Sequence, residues 1–221
     1  VLNGAALSAR ADGALHWPDR ATLVVADLHL EKGSAFARSG QLLPPYDSRA
    51  TLERVAEAIR DVRPDRVICL GDSFHDGHAA GRLPDADRAV LARLTRAVDW
   101  VWIAGNHDPT PPADMGGRVL GELVDGPLVF RHEAEPGPRS GEVSGHFHPK
   151  ASVQTRARRL TGRCFVEDGA RLILPAFGSY AGGLTVWDPA ISGLFPNGFA
   201  VHLTARRGVL KVPRARLLRA A

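Results

Sequence analysis

The stretch Val67-Ile68-Cys69-Leu70-Gly71-Asp72-Ser73-Phe74-His75-Asp76 is an apolar run that ends in a glycine and a carboxylate. A short apolar run bounded by turn formers reads as a buried strand. Asp72 is then set just past a rigid element, and Gly71 lets the backbone turn closely beneath a ligand. Other strand-like runs end the same way. Asp27-Leu28-His29 follows Leu23-Val24-Val25, Gly105-Asn106-His107-Asp108 follows Val101-Trp102-Ile103, His132 follows Leu128-Val129-Phe130, and Gly145-His146-Phe147-His148 follows Glu142-Val143-Ser144. Ligand-type side chains leave one strand after another, and the expectation is that Asp72 bridges two metal ions.

Outward from that stretch the chain alternates. Residues 1–7 and 13–17 flank a turn at residues 11–13 and suggest an opening hairpin. Residues 34–46 read as a loop with a short helix near 35–39, able to cover the site. Leu52, Val55, Ala56 and Ile59 share one face of a helix over about 49–61, and a second helix covers about 85–98, with Leu91 and Leu94 facing inward. Strand, helix, strand, helix, strand implies parallel pairing with right-handed crossovers and ligands at the carboxyl ends. After the Pro-rich loop 109–117 the helical spacers stop. Short strands are expected at 118–124, 127–131, 142–145, 151–158, 162–167, 171–175, 183–187, 200–204 and 209–212, a second and largely antiparallel sheet. The expected fold is α/β, a four-layer α-β-β-α sandwich of two mixed β-sheets flanked by helices, with residues 1–221 as a single domain.

A chain of 221 residues with 44% hydrophobic content can bury one good core. The net charge of +4 and sequence pI near 9.6 favour an anionic partner such as nucleic acid. Cys69 and Cys164 lie in apolar runs without metal spacing and read as core residues of a reducing compartment. No run is long enough to span a bilayer and the opening residues lack a signal-peptide pattern, so a soluble cytoplasmic protein with no membrane partner is expected.

Cleaving a phosphate ester requires a nucleophile to attack an anion while a charged alkoxide leaves. Two divalent ions about 3.5–4 Å apart answer both needs, and they take one shared anionic ligand plus nitrogen and oxygen ligands. Asp27, His29, Asp72, Asn106, His132, His146 and His148 supply that set without a cysteine, which points to manganese, with iron or zinc as alternatives, over a structural zinc site. Any one of these alone is more often a surface turn or a satisfied core histidine. The ordered set, each member after a strand, is a different observation.

On those residues the chain resembles the calcineurin-like metallophosphoesterase superfamily, whose ordered signature D-x-H, G-D, G-N-H-D/E, H and G-H-x-H stands here as Asp27-x-His29, Gly71-Asp72, Gly105-Asn106-His107-Asp108, His132 and Gly145-His146-x-His148. The resemblance implies that Asp27, His29 and His148 hold one ion and Asn106, His132 and His146 the other, with Asp72 between them. It leaves His107 uncoordinated as the catalytic side chain, facing the phosphoryl group to stabilise charge or protonate the leaving oxygen. Asp108 would orient that ring or simply serve its turn. Many members carry an aspartate three residues after the bridging one. His75 stands there, followed by Asp76, and either could touch substrate or the ligands' surroundings.

The runs 27–33, 43–47, 71–76, 130–133 and 174–180 extend the resemblance to the bacterial ligase-associated DNA-damage-response metallophosphoesterases. That resemblance implies a manganese-dependent phosphodiesterase with endonuclease action on single-stranded DNA in a repair context, functionally linked to a DNA ligase and a helicase. Lys32 and Arg131 each lie beside a ligand and are candidates for a substrate phosphate. Lys150, Arg156, Arg158, Arg159 and Arg163, and the C-terminal group Arg206, Arg207, Lys211, Arg214, Arg216 and Arg219, could track a phosphate backbone or form solvated basic faces. Base stacking would use Phe36, Tyr46, Phe74, Phe147 or Tyr180. Two other readings stay open: a small-molecule phosphohydrolase acting on a nucleotide or pyrophosphate, and a non-catalytic metal-binding repair scaffold.

Overall fold

The computed structural model describes every residue except 111, 112, 138, 157, 207, 220 and 221. Arg207 and part of the Pro-rich loop therefore lie outside the described residues, as does one position of the strand expected at 151–158. In chain order the elements begin with β1 (Ser8–Ala9), β2 (Leu15–Trp17), β3 (Thr22–Val25), α1 (Lys32–Arg38), α2 (Asp47–Val62), β4 (Arg66–Leu70), α3 (Ala79–Arg82), α4 (Asp85–Ala97), β5 (Asp99–Ile103) and β6 (Arg118–Leu120). They continue with β7 (Glu122–Asp125), β8 (Leu128–Arg131), β9 (Glu142–Ser144), β10 (Lys150–Gln154), β11 (Arg159–Glu167), β12 (Arg171–Ile173), α5 (Pro189–Ser192), β13 (Ala200–Ala205) and β14 (Gly208–Pro213).

Strands β1 to β6 form the first sheet in sequence order, with β3, β4, β5 and β6 parallel. Parallel strands covered on both faces need apolar side chains in both directions, and β3 and β4 have them. Leu23, Val25, Val67 and Cys69 turn toward α2 and α4, where they meet Leu52, Val55 and Leu91. Val24, Ala26, Ile68 and Leu70 turn the other way, onto Phe130, Val143, Phe165 and Leu174 of the second sheet. Burying one such side chain completely contributes about 1.5–3 kcal/mol, so this double alternation holds the three helix-crossover strands in one register.

The second sheet runs β14-β13-β11-β12-β9-β8-β7 with β10 beside β11, antiparallel except where β9 pairs with β8 and β12. Its outer face is covered by α5 and the apolar loop side chains Val186, Phe195 and Phe199. Helices therefore flank the first sheet fully and the second only through a four-residue helix.

Several expectations needed correction. The opening hairpin pairs Ser8–Ala9, not residues 1–7, with β2, and the strand expected at 151–158 ends at Gln154. The strand expected at 118–124 is two strands in different sheets, because the chain crosses at Gly121 from β6 beside β5 to β7 beside β8. Residues 183–187 form no strand and keep only a bridge from Thr185 to Lys150.

Candidate metal centre

The carboxyl ends of β3, β4 and β5 lie side by side, and the ends of β8 and β9 face them across the core. The backbone leaving these ends is unusual. Of the nine non-glycine residues with positive φ among the described residues, five are Asp27, His29, Asp72, His146 and His148. Left-handed backbone costs free energy for residues with a Cβ and persists where surrounding structure imposes it. It turns Asp27 and His29 to the same side while Leu28 between them enters the core at 1% exposure, and it does the same for His146 and His148 around Phe147.

These side chains meet in two groups. Ligand atoms of Asp27, His29 and His148 lie within 4.8 Å of one another, and so do those of Asp72, His132 and His146. Asn106 joins the second group, its Oδ1 standing 2.8 Å from His132 Nε2 and 3.0 Å from His146 Nδ1. Asp72 stands between the groups, with Oδ1 3.5 Å from His132 Nε2 and Oδ2 3.9 Å from His29 Nε2.

The donor chemistry suits cations. His132 Nδ1 donates to the Leu70 carbonyl at 2.9 Å, which leaves Nε2 as a bare lone pair. That lone pair, the Asn106 oxygen and His146 Nδ1 share at most the one proton that a neutral His146 can supply. In the other group His29 Nε2 and His148 Nε2 face each other at 3.2 Å, while His29 Nδ1 is buried without a partner. Burial, with His148 and Lys32 nearby, pushes His29 down to about 2, and burial together with His132 lowers His146. Neutral imidazoles converging on carboxylates are what divalent ions bind.

Two glycines permit this approach. A Cβ on Gly71, at φ +72°, would stand 2.3 Å from His132 Nδ1, and one on Gly105 would stand 2.2 Å from the Asp72 nitrogen. Any side chain there displaces a ligand.

Around the ligands the expectations divide. His107 is close to the groups without joining either: its Nε2 is 4.0 Å from Asp72 Oδ2 and its side chain is 43% exposed. Its ring is held by Nδ1 donating to the His75 carbonyl at 2.9 Å and by stacking on His75 at 5.3 Å. Asp108 does not hold that ring. Its Oδ2 accepts from the Ser73 and Phe74 amides, tying the 105–108 loop to the one after β4, and burial pushes its carboxyl up to about 6 against those hydrogen bonds. Asp76 is turned to Arg82 at 2.7 Å, away from the ligands. His75 lies against the site, T-shaped on His29 at 5.5 Å.

Lys32 is half-buried above Phe36 and makes no ion pair among the described residues. Arg131 is a correction: its guanidinium is spent on Glu122, Glu135 and Glu142 and is not free for a phosphate. Arg163 is another, since it donates to the carbonyls of Ala176 and Gly178. Lys211 pairs with Glu167, while Arg214 and Arg219 lie over Trp187.

Sequence reasoning missed one supporting device. Arg54, from α2, donates to the Phe177 and Asp12 carbonyls, and with Arg163 it closes on the loop 176–179. That loop in turn donates Phe177 N–H to Ala26 and Gly178 N–H to Asp27, supporting the strained turn that carries two ligands. Arg54 falls off the apolar face marked by Leu52, Val55, Ala56 and Ile59, so the sequence pattern gave no signal for it.

Comparison with known proteins agrees with this geometry. A search of curated proteins matched none to this sequence. Among solved structures, the crystal structure of Pseudomonas putida nuclease MPE is 29% identical, covers 96% of this chain and 97% of its own, and superposes with a TM-score of 0.74. Yfce, a phosphoesterase from E. coli, is 15% identical over 87% of this chain and 98% of its own, with a TM-score of 0.46. The profile of the calcineurin-like phosphoesterases matches residues 21–182, from β3 past the last ligand pair. With strand ends, ligand groups and profile coinciding over that span, the chain belongs to the calcineurin-like phosphoesterase family, enzymes that hydrolyse phosphate esters with a binuclear metal centre.

Proposed function

We propose that the protein is a manganese-dependent phosphodiesterase that cuts single-stranded DNA in a cytoplasmic repair context, in functional association with a DNA ligase and a helicase. The observation that carries the two-metal reading is the placement of Asp72, one oxygen turned to each ligand group. Asp27, His29 and His148 would hold one ion and Asn106, His132 and His146 the other, with Asp72 available to both. A pair of divalent ions so held supplies an activated nucleophile and neutralises charge at phosphorus.

The chain's own residues do the rest. His107, with Nδ1–H fixed on the His75 carbonyl, presents Nε2 to the site and gives a proton to the leaving oxygen when it is protonated. Lys32, half-buried and without an ion pair among the described residues, meets a non-bridging phosphate oxygen. The likeness to a nuclease over nearly the whole of both chains supports a nucleic acid substrate. So does the openness of the site, where Asn106 and His107 are exposed to solvent as a polymer substrate requires.

The deciding experiment compares labelled single-stranded DNA, duplex DNA and a nucleotide panel with manganese present. Cleavage of the single strand is expected. Hydrolysis of nucleotides with DNA untouched would transfer the activity to a small-molecule phosphohydrolase.

A further inference from the structure

Of the aromatic side chains near the ligands, Phe74 and Phe147 are buried at 1% and 8% exposure and are closed to a substrate. Phe36 is different. It lies on α1 with part of its ring in solvent, and it begins a column of rings that runs into the metal centre. Its centroid is 6.0 Å from that of His75, His75 is stacked on His107 at 5.3 Å, and His107 Nε2 is 4.0 Å from Asp72. Lys32, one turn earlier on the helix, places its ammonium 5.8 Å from the Phe36 centroid. A flat apolar ring beside a cation that makes no ion pair among the described residues matches a nucleotide, which offers a flat base joined to an anion.

The surface continues in kind. The segment that leaves α1 exposes Leu42, Leu43 and Tyr46 at 87%, 36% and 69%. It is held against the site by Tyr180, whose hydroxyl donates to the Pro44 carbonyl, and by Asp47, which accepts from Gly33 N–H beside Lys32. Apolar side chains left in water as a group at the mouth of a charged site mark a contact surface.

We infer that the exposed part of Phe36 is a nucleobase-stacking subsite next to the scissile phosphate, taking one unstacked base of a single strand while Lys32 meets the phosphate, with Leu42, Leu43 and Tyr46 extending the surface along the strand. The inference rests on the nuclease reading and deepens it. Stacking is indifferent to base identity because every base has a π-face, so the subsite selects for unpaired strand and not for sequence. Bases inside a duplex are already stacked and cannot reach it.

The test uses the manganese-loaded protein and a labelled single-stranded oligodeoxynucleotide, intact or with an abasic residue next to the cleavage site. Phe36→Ala is expected to raise KM on the intact strand about 5- to 100-fold. Phe36→Trp should restore it, since a larger ring keeps the stacking face. On the abasic strand, wild type and Phe36→Ala should be equally poor, because ring and base act on each other. Tyr46→Ala gives a second reading at a solvent-exposed position, with a smaller rise in KM on longer strands. An unchanged KM for Phe36→Ala on the intact strand overturns the subsite. An equal loss on intact and abasic strands also overturns it, by showing that the ring serves the metal centre and not a base. If the wild type cuts no single strand at all, the nuclease reading falls and takes the subsite with it.

Discussion

Replacing Asp72 with asparagine keeps the shape of the side chain and removes the charge that faces both ligand groups. Manganese-dependent hydrolysis of an aryl phosphodiester is expected to vanish and bound metal to drop below two ions per chain, and undiminished turnover would end the two-metal reading. His107→Ala is expected to retain both ions while slowing turnover by about 10²- to 10⁴-fold. Loss of metal in that variant would make His107 a ligand. The residues that gather in the two groups could be picked out from sequence because each follows an apolar run, and a strand end fixes where its next side chain goes. The partners of those residues could not. Asp108 adjoins His107 in the chain, yet its carboxylate reaches back to the amides of Ser73 and Phe74. Nothing in the order of residues distinguishes a carboxylate that serves its neighbour from one that ties two loops together.

Elements explain the support of the site. The guanidiniums of Arg54 and Arg163 have no carboxylate hydrogen-bond partner and are satisfied by carbonyls of the 176–179 loop and Asp12, which braces the turn carrying Asp27 and His29. Losing charge-assisted hydrogen bonds of this kind costs about 1.5–3 kcal/mol. Arg163→Ala is expected to lower thermal stability and weaken manganese binding measured by calorimetry, with Arg163→Lys intermediate. Unchanged metal affinity would reduce the arginine to a structural clamp. The loop before α3 is closed by an ion pair between Asp76 and Arg82. Hydrogen bonds from Arg82, against some burial, hold Asp76 down to about 2. A carboxylate depressed in the folded state stabilises above its ordinary value near 4 and ceases to do so as pH falls toward 2. The stability difference between wild type and Asp76→Asn in urea unfolding should therefore be larger at pH 5 than at pH 3, and a difference independent of pH would contradict the assignment. Helices α2 and α4 were legible from their apolar periodicity. The break at Gly121 was not, because both halves of residues 118–124 read equally as strand and only the two partner strands separate them.

At the scale of the whole molecule, candidate ligands from both sheets meet at one edge of the core, so ions bound there would join the sheets. An ion present at 100 times its Kd contributes about 2.7 kcal/mol to stability, which for a domain of this size raises Tm by roughly 5–10 °C. Chelation should lower Tm by at least about 5 °C and manganese should restore it. A Tm indifferent to both would mean the two ligand groups do not bind together in the folded chain. No helix among the described residues is long and apolar enough to cross a membrane.

Residue order alone determined the alternation of strands and helices, the two-sheet class and which side chains were candidate metal ligands, because burial imposes periodicity and a strand end aims its next side chain. Only the tertiary structure decided which charges were free. Arg131 and Arg163 look like Lys32 in the sequence, but carboxylates on the adjoining strands and loop and carbonyls of the 176–179 loop occupy the two arginines while Lys32 keeps its charge at the site. Charge and hydrogen-bond satisfaction are pairwise and set by how strands and loops lie beside one another, and a linear pattern does not encode them.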